Sequence, residues 1–130
     1  MLISDDRRLA DIQAEFNRQF PYLRLAFYEA PHHQGEGSPN RTQLDPSRNI
    51  GDVRTVHHTE DITINGHMHA GNLEELFGER YGLNVQVLRK KNNAWLQTIA
   101  TDQMPLSQLN REAEQFQNRT FETGGFEDNA

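Results

Sequence analysis

The chain contains no cysteine, which excludes disulfide staples, thiol nucleophiles and cysteine–zinc sites. It also lacks any apolar run near the roughly 18 residues that read as a membrane span. Asp5 and Asp6 stand where a secretory leader carries bases ahead of an apolar core. Together these absences predict a cytoplasmic protein with no membrane partner. A basic stripe is missing as well: the net charge is −6, and the cations are scattered apart from Arg89-Lys90-Lys91. Counterion release from phosphates, where nucleic-acid binding usually begins, has no footprint here, so no nucleic-acid partner is expected. The three bases read as a solvated turn that guards a sheet edge.

What is present suffices for one domain, because 130 residues bury about two-thirds of their unfolded surface. The clearest local signals lie between Asn72 and Asp102. Asn72 with Glu75 has the form of a capping box, Leu73, Leu76, Phe77 and Tyr81 make a helical stripe, and Gly82 supplies a stop. Leu83, Val85 and Val87 then alternate with Asn84 and Gln86 as in a half-buried strand. A turn over Lys90 to Asn93 leads to a return strand holding Trp95, Leu96 and Ile99, with Trp95 expected as a core or sheet-face anchor rather than a ligand platform.

Earlier in the chain, Ser4 caps an expected helix to Gln19 whose apolar face is Leu9, Ile12, Phe16 and Phe20. Pro21 ends it, and Tyr22 to Tyr28 alternates as a strand. Residues 31–52 are rich in proline and glycine and read as a long loop. Asp61 to Ile64 reads as a short strand, and Asn65-Gly66 as a type I′ hairpin turn that returns through His67 and His69. Pro105 opens a last helix to Phe116, and residues 119–130 read as a flexible acidic tail. No internal repeat is evident. The order of elements predicts a single α+β domain over residues 1–118: one mainly antiparallel sheet of about four strands, with two to three helices packed on one face.

All six histidines fall between His32 and His69. On the expected hairpin, His58, Glu60, His67 and His69 share one strand face, a donor set suited to zinc or another transition metal. Nothing else suggests a cofactor. The His67-x-His69 pair followed by Glu74 is similar to the metal motif of the cupins, but Glu74 falls on a helix and no downstream histidine completes the set. Ser4, Ser38, Ser47 and Ser107 lack the surroundings of a nucleophile, and no two titratable groups are set up to divide acid and base roles. No catalytic residue emerges.

The segment YGLNVQVLRKKNNAWLQTIATD, followed by MPLSQLN, resembles a family of small uncharacterised bacterial proteins in which an "fGL-VQV-R" strand precedes a "W-L-T-TD" strand and a short capped helix. The likeness covers the C-terminal half and implies an α+β fold in a bacterial cytosol; no activity comes with it. Pro105 stands where that pattern has a capping threonine. The expected function is therefore a non-enzymatic protein-interaction or accessory module, with a partner protein or a homodimer. The alternative is a metal-binding protein using His58, Glu60, His67 and His69.

Overall fold

A computed structural model describes residues 1–29, 43–57, 59–97 and 103–127, with side chains as far as residue 117. Most of the expected 31–52 loop, His32, His33, His58 and Ile99 lie outside the described residues. The elements are β1 (Leu2–Ile3), α1 (Leu9–Gln19), β2 (Leu23–Tyr28), α2 (Ile50–Val53), β3 (Glu60–Asp61), α3 (Ala70–Tyr81), β4 (Asn84–Lys91), β5 (Ala94–Gln97) and α4 (Leu106–Glu127). The fold is α+β and its strand pairing is antiparallel, but the strands form two sheets, β1-β3 and β2-β4-β5, rather than one. Helical backbone continues past Asn118, where the sequence pattern reads as a tail.

The single-sheet expectation fails at Asn65-Gly66. A type I′ turn there would have folded His67–His69 back on Ile62–Ile64. Instead Asn65 Oδ1 accepts the His67 N–H at 2.9 Å, an Asx turn that sends the chain into α3. The strand left without a hairpin partner takes the N-terminus: Leu2 lies opposite Asp61 and Ile3 opposite Glu60. In the main sheet, β4 is central, pairing β2 from Leu23↔Arg89 to Tyr28↔Asn84 and β5 from Leu88↔Gln97 to Lys91↔Ala94. The β4–β5 turn is Asn92-Asn93, with Asn92 at φ 56°.

Helix starts are displaced from the expected caps for one shared reason. Ser4, Asp45 and Asn65 each open a turn whose carbonyl takes the N–H three residues on, and the helix begins only after that turn closes. The N-cap of α1 is thus Arg8, whose N–H donates to Asp11 Oδ2 at 2.9 Å, and the N-cap of α3 is His69 rather than Asn72. Within the expected loop, the same device starts α2, anchored by the fully buried Ile50.

These turns reveal a duplication. Leu9 N–H donates to Arg48 O, Ile50 N–H to Arg7 O and Gly51 N–H to Asp5 O, at 3.0, 2.7 and 3.0 Å. In the second half Ala70 N–H donates to Met104 O, Leu106 N–H to Met68 O and Ser107 N–H to Gly66 O, at 3.2, 2.9 and 3.0 Å. The isolated bridges Arg8↔Asn49 and His69↔Pro105 occupy matching places. The counterparts run on in constant register along the helices: Ile12 with Leu73, Phe16 with Phe77, Phe20 with Tyr81. The equivalent strands β2 and β4 pair antiparallel, the relation that a two-fold axis between the halves produces.

The core lies between the helices and one face of β2-β4-β5. Leu9, Ile12 and Phe16 of α1, Leu73 and Phe77 of α3, and Leu106 and Leu109 of α4 pack on Leu23, Leu25, Phe27, Val85 and Val87. Burying a Leu, Ile or Phe side chain contributes about 1.5–3 kcal/mol, so this layer outweighs every polar contact described below.

Where two turns cross, one partner must be glycine. A Cβ on Gly51 would stand 2.7 Å from Asp5 Cβ, and a Cβ on Gly66 would stand 2.7 Å from Ser107 Cβ. Asp5 and Gly66 are counterparts, so the halves solve one steric problem from opposite sides. Gly66→Ala is expected to cost about 1–3 kcal/mol by overpacking, and Ser107→Gly to recover about 1 kcal/mol or more of it in a double-mutant cycle read by urea unfolding. Additive losses would contradict the crossing.

Candidate functional site

Of the expected metal set, His58 lies outside the described residues, and Glu60, His67 and His69 are not gathered into one group among the described residues. Asn65-Gly66 forms no hairpin, so the strand face that was to carry Glu60, His67 and His69 does not exist. His67 is exposed in the turn before α3, and His69 caps that helix. Glu60 is engaged elsewhere: Arg80 Nη2 donates to its two carboxylate oxygens at 3.0 and 3.1 Å, and Tyr81 Oη donates to Oε1 at 3.0 Å. Among the described residues no group of three His, Asp or Glu side chains could hold an ion. Glu74, on the inner side of α3, accepts the Val87 N–H at 3.0 Å and ties helix to sheet.

Beside Glu60 lies a second polar group that sequence reasoning missed. The Arg54 side chain, 1% exposed, donates from Nη2 to Asp5 Oδ1 at 2.7 Å. Its Nε and Nη1 are buried without a partner among the described residues. His57 Nδ1 approaches Asp5 Oδ2 at 3.1 Å, and Thr55 N–H donates to Gly82 O at 3.3 Å. The His57 hydrogen bond first, and the Arg54 guanidinium after it, hold the Asp5 carboxyl below its ordinary range. Burial first, and the Glu60 hydrogen bond next, push the Tyr81 phenol up to about 12. Chemically this is a fastening: it straps the segment after α2 against Gly82, whose φ of 63° and close contact with Thr55 and Val56 leave no room for a side chain.

The outer face of β2-β4-β5 is different. Residues opposite one another in an antiparallel pair share a face, so Arg24, Leu88 and Gln97 lie together, as do Lys90 with Trp95, Ala26 with Gln86, and Tyr28 with Asn84. Ala26, Tyr28 and Leu88 form a small apolar cluster with half-buried Trp95 packed on it. The buried residues of α1, α3 and α4 that join the main core all lie on the opposite side. Arg24 Cζ sits 5.8 Å from the Trp95 ring centroid, a cation–π distance. Of the two expected places for Trp95, core or sheet face, the structure shows the sheet face, where it is half-buried. Alternation along β5 shows which residues share a face, but not which face the helices cover. Comparisons of the chain with protein-family models, curated proteins and solved structures find no match.

Two measurements check the fastening. Tyr81 titrates near 10 when unfolded and near 12 when folded, so the unfolded state loses its proton first and stability falls as pH rises across that window. Tyr81→Phe is expected to flatten the fall, seen as a converging difference in unfolding midpoint between pH 9 and pH 11. Arg54→Met removes two unpaired buried donors and is expected to change stability by less than about 1 kcal/mol. Asp5→Asn, which leaves the guanidinium buried without its carboxylate, is expected to cost more than Arg54→Met. It should also reduce the loss of stability toward acid, because a lowered carboxyl stabilises only above its folded-state titration. The reverse ranking would contradict this reading.

Proposed function

We propose that the protein is a non-enzymatic interaction module, working in the cytoplasm, whose contact surface is the outer face of β2-β4-β5. The observation that carries this is Trp95, half-buried on the sheet face opposite α1 and α3, packed on the buried Ala26-Tyr28-Leu88 cluster with Arg24 over its ring. Tryptophan, tyrosine and arginine are the side chains that most often dominate binding energy when a partner desolvates them. A large aromatic held on a rigid sheet also loses little entropy on binding. The absence of thiols and of any paired acid and base in the sequence favours recognition over chemistry.

Affinity capture from lysate with the wild type, with Trp95→Asp and with Glu75→Lys on the exposed side of α3 tests the reading. A partner, or a second copy of the chain, is expected to be retained by wild type and Glu75→Lys. Trp95→Asp is expected to weaken that retention about tenfold or more, the scale of a hot-spot loss. Equal retention by all three would overturn the assignment of this face.

A further inference from the structure

The chain is acidic overall, yet no Asp or Glu occurs between Glu79 and Asp102, and that stretch holds Arg80, Arg89, Lys90 and Lys91. Of these, Arg89, Lys90 and Lys91 stand at the end of β4, and Arg24 on β2 reaches across to the same place. Among the described residues Arg24, Arg89, Lys90 and Lys91 make no ion pair with a carboxylate: the salt bridges all involve Met1, Arg7, Arg54, His57 or Arg80. Lys91 instead lies over the Phe116 ring at 5.5 Å. Among the described residues, this is a basic field without a carboxylate partner around the one tryptophan of the sequence.

It adjoins an edge. Among the described residues β5 pairs only with β4, and no described strand takes the backbone N–H and C=O groups of its other side. β5 itself, Ala94-Trp95-Leu96-Gln97, carries no charge; a natural edge that is to stay unpaired usually carries one. Lys90 is directly opposite Trp95, and Arg89 is opposite Leu96. An added strand would run about 4.8 Å beyond β5, within reach of the Arg24 and Lys90 heads on the Trp95 side and of Arg89 on the other. Self-pairing of two β5 edges would set these cations against their own copies, a like-charge juxtaposition that disfavours it.

Resting on the interaction-module reading, we infer that this edge takes an acidic, extended peptide segment of another protein. The segment adds as a strand beside β5, with carboxylates at alternate positions meeting Arg24 and Lys90 around Trp95. Backbone pairing supplies affinity, and the cations supply sign selectivity. A nucleic acid fits less well. It offers no strand backbone to the edge, and beyond a Debye length of about 8–10 Å a long polyanion meets a protein of net charge −6.

Trp95 emission reports directly, because no other tryptophan contributes. The full chain would be titrated with a capped alternating Glu-Val octapeptide, its Lys-Val counterpart, an N-methylated Glu-Val peptide that keeps the charge but cannot donate to β5, and oligothymidylate. The Glu-Val peptide is expected to give a saturable change that weakens with salt. Lys90→Glu should weaken it about tenfold or more, and the milder Lys90→Gln less. The Lys-Val and N-methylated peptides should give little response. Silence toward Glu-Val, equal binding of the N-methylated peptide, or tighter binding of oligothymidylate would each overturn the inference. If Glu-Val is silent while Trp95→Asp still abolishes capture of a partner, the acidic-strand inference falls and the interaction module stands. If Trp95→Asp leaves capture unchanged, the face itself is misassigned.

Discussion

The crossing of paired turns at the helix starts is the constraint on which the rest of the structure depends. In each half a backbone N–H at the start of the second helix reaches the carbonyl of the turn before the first, as Ile50 to Arg7 and Leu106 to Met68. Each crossing fixes where its two helices begin and brings two backbones so close that Gly51 or Gly66 is required. A loop at either place would leave buried amides without partners, at about 1–3 kcal/mol each. The crossings therefore set the arrangement of the halves, and the apolar layer of Phe16, Leu25, Phe77 and Val87 fills what they enclose.

Two halves related by a two-fold axis through an antiparallel strand pair must place their helices on the same side of that sheet. With α1 and α3 both packed on the Leu25 and Val87 side, neither covers the Trp95 side. That one sheet face carries neither α1 nor α3 is thus a consequence of the duplication, although Ala26, Tyr28 and Leu88 on that face are buried. Departures from symmetry decorate it: the second half adds β5 and its basic hairpin, while the first carries Asp5 and Arg54 where the second has Gly66 and Asn110. In the second half Asn110 Oδ1 takes the Tyr22 N–H at 2.8 Å, a smaller fastening at the matching place.

Leu23-Leu25-Phe27, Val85-Val87 and the stripes of α1 and α3 are legible because large apolar residues recur at the period of the element, whereas the burial of Ala26 and Tyr28 on the other face of β2 is not marked by such a stripe. Caps were misread at Ser4 and Asn72, because a polar residue can open a turn several positions before a helix as readily as cap it. Asn65-Gly66 suits a type I′ turn, yet the Asx bond and the crossing with Ser107 give it another use. The repeat hides because the duplicated parts are backbone bonds and turn geometry, which polar residues as different as Asp5 and Gly66 satisfy. Arg54 gave no signal at all: nothing in the neighbouring sequence shows that an arginine after a four-residue helix is buried. The grouping of Glu60 with His67 and His69 assumed a hairpin at Asn65-Gly66, where the chain instead makes an Asx turn; His58 lies outside the described residues.

The central claim is that Trp95, half-buried on the sheet face opposite α1 and α3, is reached from solvent through positively charged surroundings. Quenching of its emission by iodide and by caesium at equal ionic strength tests this most directly, since both ions need contact with the ring and differ in sign. Iodide is expected to quench Trp95 in the free protein distinctly more strongly than caesium, with the difference shrinking as inert salt screens Arg24 and Lys90. Shielding of Trp95 from both ions, or stronger quenching by caesium, would contradict it.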